Sequence, residues 1–222
     1  MKKKSVPAPL TFYQYVRIYR TIQGISEFFT KNVGRECVLF SVLGAALMHK
    51  HYGKDAKVIC GLGAVVVHNA ETPVVLSWCE EEDQGKWSAT RDTFHTWVEC
   101  DGWAIDFMAP NYPEAFRSSP RAACVSIPTI PRKMLQKHME KVQGPLDDLT
   151  RTGHAVLLGD YEITTAVIDH AFEGSGIEDI FNIALAWHRP LPGAMGSTMA
   201  ITNDLGELST LRLSPREVVG AW

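Results

Sequence analysis

The sequence lacks most of what would mark a secreted, membrane-spanning or nucleic-acid-binding protein. It carries five cysteines in 222 residues. An odd number scattered singly builds no disulfide framework, so a reduced, cytoplasmic chain is expected. There is no basic excess: the formal net charge is −3, which argues against a nucleic-acid partner or a polybasic membrane surface. No apolar run reaches the roughly 20 residues of a membrane span, so no membrane partner is expected. Lys2-Lys3-Lys4 has the charge of a signal n-region, but Ser5-Val6-Pro7-Ala8-Pro9 sets no apolar core behind it. Gly61-Leu62-Gly63 lacks the third glycine and the helix start of a phosphate loop. His49 and His51 are two apart and do not share a helix face. His68, His138, His154, His170 and His188 have no zinc spacing. Neither a metal nor a cofactor is expected.

What is present suits one globular domain over residues 1–222, long enough to bury a substantial core. Residues 1–10 read as a frayed lead. Thr11 caps a helix to about Lys31, with Phe12, Tyr15, Tyr19, Ile22, Ile25 and Phe29 in one apolar stripe. Val58 to Val67 and Val74 to Trp78 read as strands, and Glu80 to Lys86 as a solvated acidic loop. Asn111 to Arg132 holds four prolines and is expected to wrap the surface. Pro131 suits the first position of a short basic helix ending at Gly144. Residues 145–222 form a C-terminal extension. Within it Ile163 to Phe172 fits helix or strand, and Ser175-Gly176-Ile177-Glu178 is a capping box for a helix to about Trp187. Thr198 to Thr202 and Leu208 to Leu213 are strands, and Ser214-Pro215-Arg216-Glu217 caps a final helical turn.

Two stretches carry chemistry. The first, Glu36 to Gly53, is apolar nearly all round, rich in Ala and Leu, and stopped by Gly53, so it reads as a buried helix. Cys37 falls in its first turn, where unpaired N–H groups and the positive dipole end favour a thiolate. The second, Phe94 to Phe107, is a hairpin pattern about Asp101-Gly102, a pair suited to a type I′ turn. That turn sets Cys100 opposite Trp103 and Trp97 opposite Asp106. His95 shares the face of Trp97 and lies diagonal to Asp106, within reach of an imidazole. If the hairpin packs on the Cys37 helix, nucleophile, base and orienter are assembled.

Cysteine at a helix start, then His95-x-Trp97-x-Glu99, a turn, and Trp103-x-x-Asp106, resembles the transglutaminase-like branch of the papain-like cysteine enzymes. Gly53-Lys54-Asp55-Ala56-Lys57-Val58-Ile59-Cys60-Gly61 is similar to the strand that follows the nucleophile helix there, with Lys57 where arginine is usual. The resemblance covers the catalytic core, residues 34–110, and points to a bacterial domain family of unknown function within that superfamily. It implies an α+β, papain-like fold with the Cys37 helix packed on an antiparallel sheet. It also implies a catalytic Cys37-His95-Asp106 triad. By the same resemblance Asn32 helps the Cys37 N–H hold an oxyanion. Trp97 and Trp103 read first as core aromatics, with Trp97 also placed to wall the site because it shares the face of His95. The implied reaction is acyl transfer from a peptide, protein or small amide or ester: hydrolysis, as in a peptidase, amidase or deamidase, or transamidation. The alternative is an inactive papain-like scaffold that binds a peptide or protein. Acyl acceptor, substrate and oligomeric state are not encoded in any motif.

Overall fold

The computed structural model describes residues 6–29, 36–69, 71–82, 85–125, 127, 129–173 and 176–222. Helix α1, Phe12–Phe29, opens on a reciprocal cap in which the Gln14 N–H donates to Thr11 Oγ1 and the Thr11 N–H to Gln14 Oε1. Its stripe is buried at Tyr15, Ile18, Tyr19, Ile22 and Ile25, while Phe29 at its end is exposed. Of the lead before it, residues 1–5 lie outside the described residues, and Leu10 is anchored rather than frayed: it is buried, and Gln136 bonds both its N–H and its C=O.

Helix α2, Glu36–Tyr52, lies between α1 and the main sheet. The sheet is antiparallel and built from β1 (Lys57–His68), β2 (Val74–Trp78), β5 (His95–Cys100), β6 (Trp103–Asp106), β7 (Leu135–His138) and β8 (Ala155–Gly159). β3 (Glu80–Glu82) and β4 (Lys86–Ser88) form a small hairpin where a loop was expected. β1 organises the sheet. Gly61 pairs with both His95 and Gly159, and Gly63 to Val65 pair with β2 and β8 at once. β8 therefore lines one edge of β1, while β5 and β2 share the other end to end.

The β5–β6 register is the one the turn chemistry requires: Cys100 opposite Trp103, Glu99 opposite Ala104, Val98 opposite Ile105. Asp101 and Gly102 both have positive φ, 51° and 78°, as a type I′ turn demands. β6 is covered on its far side by β7, with Asp106 opposite Leu135. This corrects the helix expected after Pro131. Leu135 to His138 close the open edge of β6 and bury Leu135, which leaves only a single 3-10 turn at Met139–Lys141. Asn111 to Arg132 is also more buried than its prolines suggest. It contains α3 (Tyr112–Ser118), and Asn111 and Tyr112 are in the core.

In the second half, α4 (Tyr161–Phe172) is a helix because Asp160 caps it, its carboxylate accepting from the Ile163 N–H. α5 (Ile177–Trp187) is present, although Ser175 of the expected capping box lies outside the described residues. β9 (Thr198–Thr202) and β10 (Leu208–Arg212) form a separate hairpin. No helical turn follows Ser214. Its hydroxyl accepts from the Arg216 N–H and the segment runs on extended to a parallel bridge between Ala221 and Met134. The chain is thus a mixed α+β fold with a curled antiparallel sheet. Among the described residues no helix is long and apolar enough to cross a membrane.

The seating of α2 depends on Gly44. A Cβ there would stand 2.2 Å from the Phe107 ring, and that ring is fully buried. Ala is the better helix former by ~1 kcal/mol, but overpacking costs about 1–3 kcal/mol. Gly44→Ala is expected to lower the urea midpoint, whereas Ala46→Gly on the helix's partly exposed side changes it only by the propensity difference.

Candidate active site

Cys37, His95 and Asp106 come together where the start of α2 meets the β5–β6 hairpin. Cys37 is the second residue of α2 and 5% exposed; His95 and Asp106 are both 0% exposed. His95 Nε2 bonds Asp106 Oδ2 at 2.7 Å. Ser41, one turn past Cys37, donates to Thr96 at 3.2 Å and so ties α2 to the strand bearing His95.

The Asp106 carboxylate is fully engaged. Oδ1 accepts from the Met108 N–H at 2.8 Å, and Oδ2 accepts from the Tyr112 hydroxyl at 2.5 Å as well as from His95. The Tyr15 hydroxyl donates to the Asp106 backbone carbonyl. Burial, with the charge of Asp106 added, pushes both tyrosines well above the ordinary phenol value. They keep their protons and remain donors.

The imidazole is held by shape as well as by bonds. Trp78, the last residue of β2, stacks on it with centroids 4.1 Å apart and planes 18° from parallel. Gly63 lies beneath, and a Cβ there would stand 2.6 Å from His95 Cβ. Burial alone would lower the basicity of His95. The charge of Asp106 and its hydrogen bond, with Cys37 adding to both effects, outweigh burial and hold the pKa up at about 10 against 6.5. Nδ1 is buried with no hydrogen-bond partner, and besides Asp106 the group near enough to raise the basicity of the ring is Cys37. Glu36, beside Cys37, is half-buried and accepts from Ser26 at 3.2 Å; burial raises its pKa.

Trp97 does not wall a site. It is fully buried, shares His95's face of the sheet but packs among core residues, and donates its indole N–H to Glu99 at 3.3 Å. A ring sealed from solvent meets no substrate, and the aromatic that covers His95 is Trp78. Asn32 lies outside the described residues. Sequence reasoning passed over Tyr112, Tyr15, Trp78 and Gly63. The two glycines of β1 were the one available signal, since glycine inside a strand marks a bulge or the close approach of another group. Among the described residues no group of three or more His, Cys, Asp or Glu is placed to hold a metal ion.

Because His95 binds its proton more tightly folded than unfolded, the pair's contribution to stability is full below about pH 6.5. It is lost as pH rises through about 10. In nitrogen-resolved NMR both His95 ring nitrogens are expected to carry protons at about pH 8. Asp106→Asn is expected to bring the titration down and to flatten the alkaline fall of the urea midpoint.

A solved structure described as "The crystal structure of genomics APC5867" is similar to this chain at 27% identity and a TM-score of 0.80, over 99% of this chain and 100% of the other. No curated protein matches the chain. The family model described as "Protein of unknown function (DUF2026)" matches residues 11–222. That span takes in α2, the β5–β6 hairpin and every residue that fixes Asp106, and the chain belongs to the DUF2026 family.

Proposed function

We propose that the protein is a cysteine-dependent acyl-transfer enzyme of the papain-like, transglutaminase-like kind, with Cys37 as nucleophile, His95 as base and acid, and Asp106 as orienter. The observation that carries this reading is the division of labour on one imidazole. Nε2 is fixed by a buried carboxylate, while Nδ1 is left without a hydrogen-bond partner and Cys37 is near enough to raise the basicity of the ring.

His95 Nδ1 holds the proton taken from the Cys37 thiol, and Sγ attacks the carbonyl carbon of an amide or ester, forming the C–S bond and moving the carbonyl electron pair to oxygen. The Cys37 N–H, in the first turn of a 17-residue helix, faces that oxyanion with the positive end of the helix dipole. From its place in the sequence, Asn32 is the candidate second donor. Collapse breaks the bond to the leaving amine or alcohol, which takes the proton from Nδ1. Water or an amine then attacks the thioester, gives its proton to His95 Nδ1 and releases the Cys37 sulfur, which restores the starting pair. Throughout, Asp106 keeps Nε2 protonated and stabilises the imidazolium, and Tyr112 and the Met108 N–H keep Asp106 in place.

The test is thiol labelling followed by peptide mapping. Brief iodoacetamide treatment at about pH 6 is expected to modify Cys37 first. Burial pushes the Cys60 thiol up to about 12 and also raises Cys79 and Cys100. Cys124 is exposed and serves as the ordinary thiol. His95→Ala slows the labelling of Cys37 and leaves that of Cys124 unchanged. A Cys37 that reacts no faster than Cys124 removes the nucleophile and leaves the scaffold as a binding module. With a thiol-directed acyl probe, Cys37→Ala abolishes modification. Asp106→Asn lowers it by about 10²-fold or more at unchanged folding by circular dichroism.

A further inference from the structure

Two cavities run end to end along one side of α2. The first, about 520 Å³, lies between Val38, Leu39 and Val42 of α2, Phe94, and Val167 and Phe172 of α4. The second, about 580 Å³, shares Val42 and Phe172 with it and continues past Ala45 and Ala46 to His49. On α2 the lining residues recur at three- and four-residue steps, so they form one stripe. Val38 to His49 spans roughly 16 Å at the helical rise. Both helices rest on the same sheet, α4 on β1 and α2 on β5, and the space between them stays open.

This trench differs from a packing gap in two respects. The first is its place: Val38 follows Cys37 in the chain and Phe94 precedes His95, so the trench begins one residue from each partner of the proposed site. The second is the apolar surface left uncovered along it. α4 carries Ile163, Val167, Ile168, Ala171 and Phe172, yet only Ile163 is buried, and Phe172 is 50% exposed. Thr164, in the wall of the second cavity, offers little polarity. Its hydroxyl donates to the Cys60 and Asp160 carbonyls and accepts from the Cys60 N–H. The formally charged lining residues are Arg91 and Asp92 in the first cavity and Asp169 in the second, with the imidazoles of His170 and His49. A concave, mostly apolar channel with a few polar groups is the usual form of a small-molecule site.

We infer that the trench between α2 and α4 is the acyl-side binding site of this centre, taking donors whose acyl group carries an apolar chain or side chain of several carbons. The inference rests on the acyl-transfer reading above. A carbonyl carbon bonded to Cys37 sulfur has its substituent directed along Val38 and Val42. Each methylene laid against that stripe leaves water, and the gain accumulates with chain length until the trench is full.

Alkyl chloromethyl ketones on the full chain test this. In each, Cys37 sulfur displaces chloride from the methylene carbon and the thiol proton goes to His95, while the alkyl group occupies the acyl side. Chloroacetone gives the basal rate. The expected result is that 1-chlorodecan-2-one, an unbranched chain, or the chloromethyl ketone of N-acetyl-leucine, a peptide-like side chain, alkylates Cys37 about 10-fold faster or more. The faster of the two distinguishes a lipid-like from a peptide-like donor. Ala171→Trp, which fills the trench from its partly exposed wall, reduces the preference, taken against that variant's own chloroacetone rate, to less than about 3-fold. Phe172→Ala, which opens the wall, is the second variant should the first fail to fold, and shifts the preference toward bulkier ketones. If chloroacetone labels Cys37 but neither longer ketone gains, or the preference is unchanged in both variants, the trench assignment is overturned alone. If chloroacetone does not label Cys37 ahead of Cys124, the acyl-transfer reading falls and the inference falls with it.

Discussion

The hydrogen-bonded pair of His95 and Asp106, both without solvent exposure, is the constraint around which the neighbouring structure is arranged. A buried ion pair recovers its desolvation cost only when its remaining lone pairs and protons are satisfied. The fold meets that condition with donors from three directions: Tyr112 at the head of α3, the Met108 N–H at the end of the hairpin, and Tyr15 of α1 on the Asp106 carbonyl. β7 closes the outer edge of β6, so no water competes for the Asp106 backbone from that side. The absence of a side chain at Gly63 and the presence of one at Trp78 then fix the imidazole plane. Each of these features has an ordinary structural explanation alone. Together they converge on a single ring nitrogen left for Cys37.

Where the determinants were local, the sequence was readable. Asp101-Gly102 dictated the turn, the turn dictated the register, and the register placed His95 diagonal to Asp106, all within fourteen residues and by the period-2 rule of a strand. The helix bearing Cys37 and the β9–β10 hairpin were legible for the same reason. What could not be read depended on partners distant in the chain. Tyr112 lies at the start of a proline-rich stretch that looked like surface, and its burial is decided by Asp106 and by the core it joins. Leu135 to His138 became strand because β6 had an open edge, which overrode the helical cue of Pro131. Trp97 had the right face and the wrong depth. Its side chain points to His95's side of the sheet, but that side is sealed there by α3 and the segment after it.

α2 serves three neighbours at once. Cys37, Ser41 and Gly44 look toward the hairpin, Phe40, Leu43 and Leu47 join the core shared with α1, and Val38, Val42 and Ala46 border the trench. This explains why the helix is apolar nearly all round without being fully enclosed. One face positions, one packs, and one remains available.

The order in which the site comes together during folding follows from the chain distances involved. His95 and Asp106 are eleven residues apart and are joined by a two-residue turn, so their pairing closes a short loop on the timescale of a hairpin. Cys37 belongs to a different local unit, and its approach requires α2 to dock on a sheet whose central strand pairs with β8, about a hundred residues further on. Such long-range pairing is the slow part of assembling a mixed fold. The imidazole and carboxylate can therefore find each other early, while the sulfur meets them only once the long-range core has closed.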